Sequence, residues 1–352
     1  AIVEWSTGFP GYRGEVSKHT STLAEILRPQ GYNTFAVGKW HLMRMTKATA
    51  AGPFDAWPLG RGFDRFYGFL GAFADHYDPE LVQDNQPIKA PRSDDYHLTE
   101  DLTDQAISMI KSQKSVAPEK PFFLYYAPGA CHSPHQVPKD YIKKYQGKFD
   151  AGWDEMRKIW FERQQKLGII PNDAKLTELN REVTPWNDLS QDQKKLCARM
   201  QEVYAGFLDH TDSQIGRLIS FLKDIEQYEN TIVIFLSDNG ASDEGGEFGN
   251  LNIRKHYSFI HESFDELFSA MDDYGSKYAS NHYPMGWGHA GNTPLKWFKM
   301  DTHGGGIRDP FIVSWPQSIK AGGEIREQFH HCTDVVPTIL DYLNIEAPET
   351  VN

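Results

Sequence analysis

Two strand-length segments of this chain, Phe122-Phe123-Leu124-Tyr125-Tyr126-Ala127 and Thr231-Ile232-Val233-Ile234-Phe235-Leu236, are apolar almost throughout. A half-solvated strand alternates apolar with polar residues, so an unbroken apolar run reads as a strand covered on both faces, the habit of parallel sheets. Between the two, Leu196, Met200, Val203, Phe207, Ile215, Leu218, Leu222 and Ile225 keep a helical period over roughly eight turns at about 3.6 residues per turn. Earlier, Thr20–Gln30 reads as a helix opened by a Thr22-x-x-Glu25 capping box, with Leu23, Ile26 and Leu27 as its apolar stripe and Gly31 as its stop. Leu98–Lys114 places Leu102, Ala106, Ile107 and Ile110 at helical spacing. A strand Phe311–Trp315 and a helix near Thr333–Leu343 close the pattern. Alternation of this kind predicts an α/β fold, a mostly parallel central sheet with helices on both faces. In such sheets ligands sit beyond the carboxyl ends of the strands.

The chain of 352 residues can bury a large core, and 39% hydrophobic and 13% aromatic residues set it apart from disordered sequences. A net charge of −12 with no Lys/Arg run argues against nucleic acid as a partner. An anionic small molecule would need a local cationic cluster or a metal to overcome that field. Cys131, Cys197 and Cys332 are far apart and odd in number, so they suggest neither a disulfide framework nor a zinc site, and the compartment stays open. The longest apolar runs are far too short to span a bilayer. The chain opens at Ala1-Ile2-Val3-Glu4-Trp5 without an initiator Met and stops at Val351-Asn352 just after a helix, which reads as a fragment or a processed form.

Four segments carry candidate chemistry. In Gly31-Tyr32-Asn33-Thr34-Phe35-Ala36-Val37-Gly38-Lys39-Trp40-His41-Leu42 a turn runs into a short apolar strand. Strand alternation points Lys39 and His41 one way and Trp40 the other. A fixed cation beside an imidazole suits an anion that must be held and must exchange protons, although two such residues on an edge strand could equally face water. Ser237-Asp238-Asn239-Gly240 follows the second apolar strand; it offers hard oxygen ligands for Ca²⁺ or Mg²⁺, or simply an Asx turn. His132, in Cys131-His132-Ser133-Pro134-His135 after the first apolar strand, could serve as a general acid or as an ordinary loop residue. Lys296, Lys299 and the Gly304-Gly305-Gly306 turn pair cations with backbone that can approach an anion closely. Motifs of the GxSxG, P-loop, GxGxxG and HExxH kinds are absent.

Taken in order, these segments resemble type I sulfatases of the alkaline-phosphatase superfamily, closest in feel to large bacterial arylsulfatases. Gly31 to Leu42 looks like the second sulfatase signature, Pro121 to Pro134 like the segment with the active-site histidine, and Ser237 to Gly240 like the metal-binding strand end. Lys299 stands before Gly304 where the family has a lysine before a Thr-x-Glu-Gly-Gly or His-Glu-Gly-Gly turn; here Gly304 takes the place of the glutamate. The resemblance implies a sulfuric ester hydrolase acting on a small-molecule sulfate ester. Asp238 and Asn239 would hold a divalent cation, Ca²⁺ in most such enzymes. Lys39, Lys299 and His132 would bind the sulfate, His132 would protonate the leaving group, and His41 would act as base when sulfate is released. The first signature, Cys/Ser-x-Pro-x-Arg, whose cysteine becomes the formylglycine nucleophile, does not occur in these 352 residues and is expected upstream. The whole chain would then be part of one catalytic domain, with a peripheral helical insertion at about 139–195 and a pocket-rim insertion at about 241–293. In that rim Tyr283, Trp287 and His289 could touch the organic part of the substrate. A phosphodiesterase or phosphonate hydrolase of the same superfamily, or a sulfatase-like binding protein without a nucleophile, are the other readings open at this point.

Overall fold

A computed structural model of the chain describes residues 14–350. The reading of both chain ends as internal to a longer protein therefore falls on residues outside those described. Two compact units appear. A sheet unit runs to Ala74, resumes over Asp78–Gly129 and ends with the segment from Arg326; a helical unit takes Asp75–Tyr77 and Ala130–Ile325.

In the sheet unit, five strands lie in the order β4-β3-β2-β1-β5, where β1 is Asn33–Lys39, β2 Arg65–Phe69, β3 Glu80–Gln83, β4 Gln86–Lys89 and β5 Phe122–Ala127. The expected parallel pairing holds at the centre: β1 runs parallel to β2 and to β5, with Gly38 opposite both Gly68 and Ala127. The two outer strands are antiparallel, joined by a hairpin at Asp84-Asn85 whose Asp84 is left-handed (φ 56). No strand was expected there, because Gln83-Asp84-Asn85-Gln86 carries no turn glycine and its flanks are too short to show alternation. Gly38 is needed at the end of β1: its φ is +108, and a Cβ there would overlap the Ala127 carbonyl oxygen. The Thr22–Glu25 capping box forms as expected, opening the Leu23–Leu27 helix. Behind it the nearly buried Arg61 binds Glu25 at 3.1 Å and donates to the carbonyls of Val16 and Thr20. Trp40 is buried, meets Phe63 edge-on, and donates from Nε1 to the Ala56 carbonyl. Leu98, Leu102, Ala106 and Ile110 are the buried face of the Leu98–Val116 helix.

The helical unit is organised on the Gln191–Asp224 helix, opened by a Ser190–Gln193 capping box and buried along Leu196, Met200, Val203 and Phe207. Trp153, Trp186 and Trp287 pack mutually edge-to-face at 4.7 to 5.9 Å between centroids. Their indole N–H groups need acceptors once buried; Trp287 donates to the Cys197 carbonyl and Trp153 to that of Thr184. The second apolar run forms β6 (Val233–Leu236), antiparallel to β7 (Phe311–Ser314) in a separate two-stranded sheet. Neither apolar run is covered on both faces as its composition suggested. Tyr125 of the edge strand β5 is 39% exposed, and Phe235 and Leu236 of β6 are 44% and 47% exposed. Among the described residues each of the two strands has a hydrogen-bonded neighbour on one side only, which leaves one backbone edge of each unpaired. Among the described residues no helix is long and apolar enough to cross a membrane.

Candidate active site

Lys39 closes β1 and remains half-buried, while Trp40 turns into the core, as strand alternation requires. His41 lies just past the strand with a left-handed backbone (φ 45), and its N–H donates to the Leu70 carbonyl. The sheet unit thus holds Lys39 and His41 two residues apart at the carboxyl end of a central parallel strand.

The other predicted residues belong to the helical unit, where the fold brings distant segments together. The Ser237–Gly240 turn follows β6, with the Ser237 hydroxyl donating to the Asn239 carbonyl at 2.9 Å. Gly240 presses against the triple-glycine turn: its N–H donates to the Gly306 carbonyl, and a Cβ at Gly240 would overlap the Gly305 carbonyl oxygen. Asn292, buried, ties the same junction by accepting from the Ala241 N–H at 2.8 Å and donating to the Ala241 and Trp297 carbonyls. The loop is folded back tightly enough to need left-handed Trp297 and Met300 on either side of Lys299, whose own N–H donates to the Ala241 carbonyl.

This folding carries the Lys299 ammonium to 3.4 Å from Nε2 of His132, across 167 positions of sequence. The Nδ1 atom of His132 is 2.8 Å from the Ser133 carbonyl oxygen, which can only accept. An ammonium can only donate, so the network assigns the proton to Nδ1 and leaves Nε2 as the acceptor facing Lys299. The Lys299 ammonium also meets Glu244 at 3.0 Å. Burial alone would raise the Glu244 carboxyl, but the Lys299 charge and hydrogen bond, with the Ser242 hydroxyl, bring it down to about 2. Glu244 also accepts from the Tyr257 hydroxyl at 3.2 Å. Behind His132 lie the buried histidines His135 and His282. Burial drives His135 well below the usual imidazole range, helped by His282, His132 and His76, and burial takes His282 down to about 4. Both rings are therefore uncharged at neutral pH.

Asp238 is exposed and Asn239 half-buried. Burial, with the adjacent charge of Asp238, pushes Asp309 up to about 6. Two hard oxygen donors beside a second carboxylate fit a divalent cation, which would offset that repulsion. Among the described residues no three His, Cys, Asp or Glu side chains converge as a metal-binding group.

The rim expectation is corrected: Tyr283, Trp287 and His289 are buried core side chains, at 4%, 2% and 0% exposure. They pack the 241–293 segment down because large aromatics gain most from losing contact with water. Sequence reasoning missed Glu244, Tyr257, Asn292 and Asp309. A carboxylate five positions beyond Asn239, in Asp243-Glu244-Gly245-Gly246, was the available signal for the first of them.

The sulfatase family model matches residues 4–345. An arylsulfatase of Klebsiella aerogenes is 30% identical over 359 aligned residues, covering 98% of this chain and 72% of that protein. An uncharacterised sulfatase of Schizosaccharomyces pombe is 30% identical as well, over 97% of this chain and 61% of its own length. The fold matches a sulfatase structure from Bacteroides fragilis with a TM-score of 0.59 at 21% identity, over 96% of this chain and 59% of that one. It also matches a phosphonate monoester hydrolase from Silicibacter pomeroyi with a TM-score of 0.52 at 19% identity, over 97% of this chain and 61% of that one. With the family model spanning nearly its full length, the chain belongs to the sulfatase family, the type I sulfatases of the alkaline-phosphatase superfamily.

Proposed function

We propose that this chain is the greater part of a sulfuric ester hydrolase of arylsulfatase type, which splits a small sulfate ester into an alcohol or phenol and inorganic sulfate. The observation that carries the reading is the meeting of His132 Nε2 with the Lys299 ammonium, beside a turn that offers Asp238 and Asn239, in a chain of this family. Lys299 supplies positive charge to a tetrahedral anion and to the charge that grows on it during transfer. The nitrogen of His132 that faces Lys299, Nε2, is the one that would pass a proton to the departing oxygen once the ring has taken up a second proton there, the imidazolium being the acid form. For Lys39 and His41 the family resemblance alone implies roles, as a cation for the sulfate and as the base for its release. Asp238 and Asn239 would hold a divalent cation, Ca²⁺ by family precedent, which supplies Lewis-acid polarisation of the sulfate oxygens. The formylglycine nucleophile that the family implies is not encoded in these 352 residues, so this chain contributes the anion seat, the acid and part of the metal site.

A phosphonate or phosphodiester hydrolase is the second reading, favoured by the likeness to the Silicibacter pomeroyi structure. The deciding experiment compares kcat/KM of the full-length protein on sulfate, phosphodiester and phosphonate esters of one phenol. A preference for the sulfate ester supports arylsulfatase activity; a preference for either phosphorus ester sinks it.

A further inference from the structure

A carboxylate beside the lysine of an anion seat is out of place. Glu244 stands 3.0 Å from Lys299, four-fifths or more buried, and is kept in position by Ser242 and Tyr257. If the seat existed only to attract negative charge, an apolar or amide side chain at this position would serve better. We propose that Glu244 selects the charge of the substrate: by neutralising Lys299 it removes one unit of positive charge from the seat, which then accepts a monoanionic tetrahedral group more readily than a dianionic one. This rests on the sulfatase reading of the site and extends it to specificity.

The chemistry follows from the charges. A sulfate monoester carries one negative charge at neutral pH, whereas a phosphate monoester carries about −1.5 to −2. Inorganic sulfate, the product, carries two. A fixed carboxylate 3.0 Å from Lys299 therefore penalises phosphate monoesters and the bound product more than it penalises the sulfate ester. The other ionisable groups near the pair do not cancel it. His282 is neutral, His132 in the arrangement observed is hydrogen-bonded as the neutral Nδ1–H form, and Asp243 only adds to the negative side; a proton taken up by His132 as the acid is common to both substrates and leaves their ratio to Glu244.

The test uses the full-length, Ca²⁺-loaded protein with Glu244→Gln and Glu244→Asp. Turnover of 4-nitrophenyl sulfate is compared with that of 4-nitrophenyl phosphate, and calorimetry compares binding of sulfamate, a monoanion, with inorganic sulfate, a dianion. Glu244→Gln is expected to raise the phosphate-to-sulfate ratio of kcat/KM by about tenfold, the effect of roughly 1.4 kcal/mol, and to tighten sulfate more than sulfamate. Glu244→Asp should restore both ratios toward wild type. A purely structural role would lower both activities together and leave the ratios unmoved, and that result overturns the proposal. Lys299→Met gives the same reading with opposite sign should the glutamine variant not fold: it leaves Glu244 unopposed and must weaken sulfate more than sulfamate. Wild-type protein that turns over neither ester would refute the sulfatase reading, while the binding comparison would still decide the role of Glu244.

Discussion

His132 and Lys299 show how much of a site a single contact can settle. In sequence, His132 was one loop histidine and Lys299 one of several lysines near glycines; at 3.4 Å they meet as acceptor and donor with an assigned tautomer. His132→Ala is expected to cost about 10² to 10⁴ in kcat on alkyl sulfates, which need a proton on the leaving oxygen, and much less on 4-nitrophenyl sulfate. Equal losses across leaving groups of different pKa would remove its role as acid. Asp238→Ala should weaken divalent-cation binding, measured by calorimetry on the chelator-treated full-length protein, with Asn239→Ala weaker in effect because a neutral amide contributes less than a carboxylate. Lys39, His41, His132, Asp238, Asn239 and Lys299 were all legible as residue types in a familiar order. Glu244 was not, because a carboxylate gains meaning only when its partner is known, and that partner lies 55 positions away.

At the scale of elements, the Thr22–Glu25 capping box and the helical periodicity transferred from sequence to structure with little change, since both are local. The Thr22–Glu25 box forms, and the long helix spans Gln191–Asp224 as its apolar period indicates, opened by a Ser190–Gln193 box that the structure adds. Strand runs transferred in place but not in environment: β5 and β6 are where the apolar residues predicted, yet both are edge strands with exposed side chains. Burial depends on what packs against a strand, which composition cannot encode. The joint between the Ser237–Gly240 turn and the glycine turn is likewise tertiary. Gly240→Ala must push the two turns apart, and a displacement of that order can cost about 10²-fold in kcat/KM. The thermal midpoint should move far less than activity; an unchanged kcat/KM would show that the junction does not position the site. Trp287→Ala should instead cost about 3–5 kcal/mol of stability in urea titration, with KM unchanged in the protein that remains folded. A raised KM at unaltered stability would return Trp287 to the substrate rim.

For the molecule as a whole, buried neutral histidines tie stability to pH. His282 titrates at about 4 in the folded state against 6.5 as a free side chain, and His210 likewise falls to about 4 through burial. The unfolded chain binds more protons over that interval, so stability is complete above pH 6.5 and is lost as pH falls toward 4. His282 alone accounts for a loss on the order of 3 kcal/mol. Thermal midpoints measured across that window should fall, and His282→Gln should flatten the slope; an unchanged slope would remove His282 from the account. By itself the sequence determined the α/β class, the helices with their caps, and the family, because local propensity, periodicity and ordered motifs are carried by neighbouring residues. Tertiary structure alone decided the rest. It set the antiparallel strands at the sheet edge, buried the aromatic residues expected at the rim, and drew His132, Lys299 and Glu244 into one chain of contacts, since each outcome depends on which distant surfaces exclude water from one another.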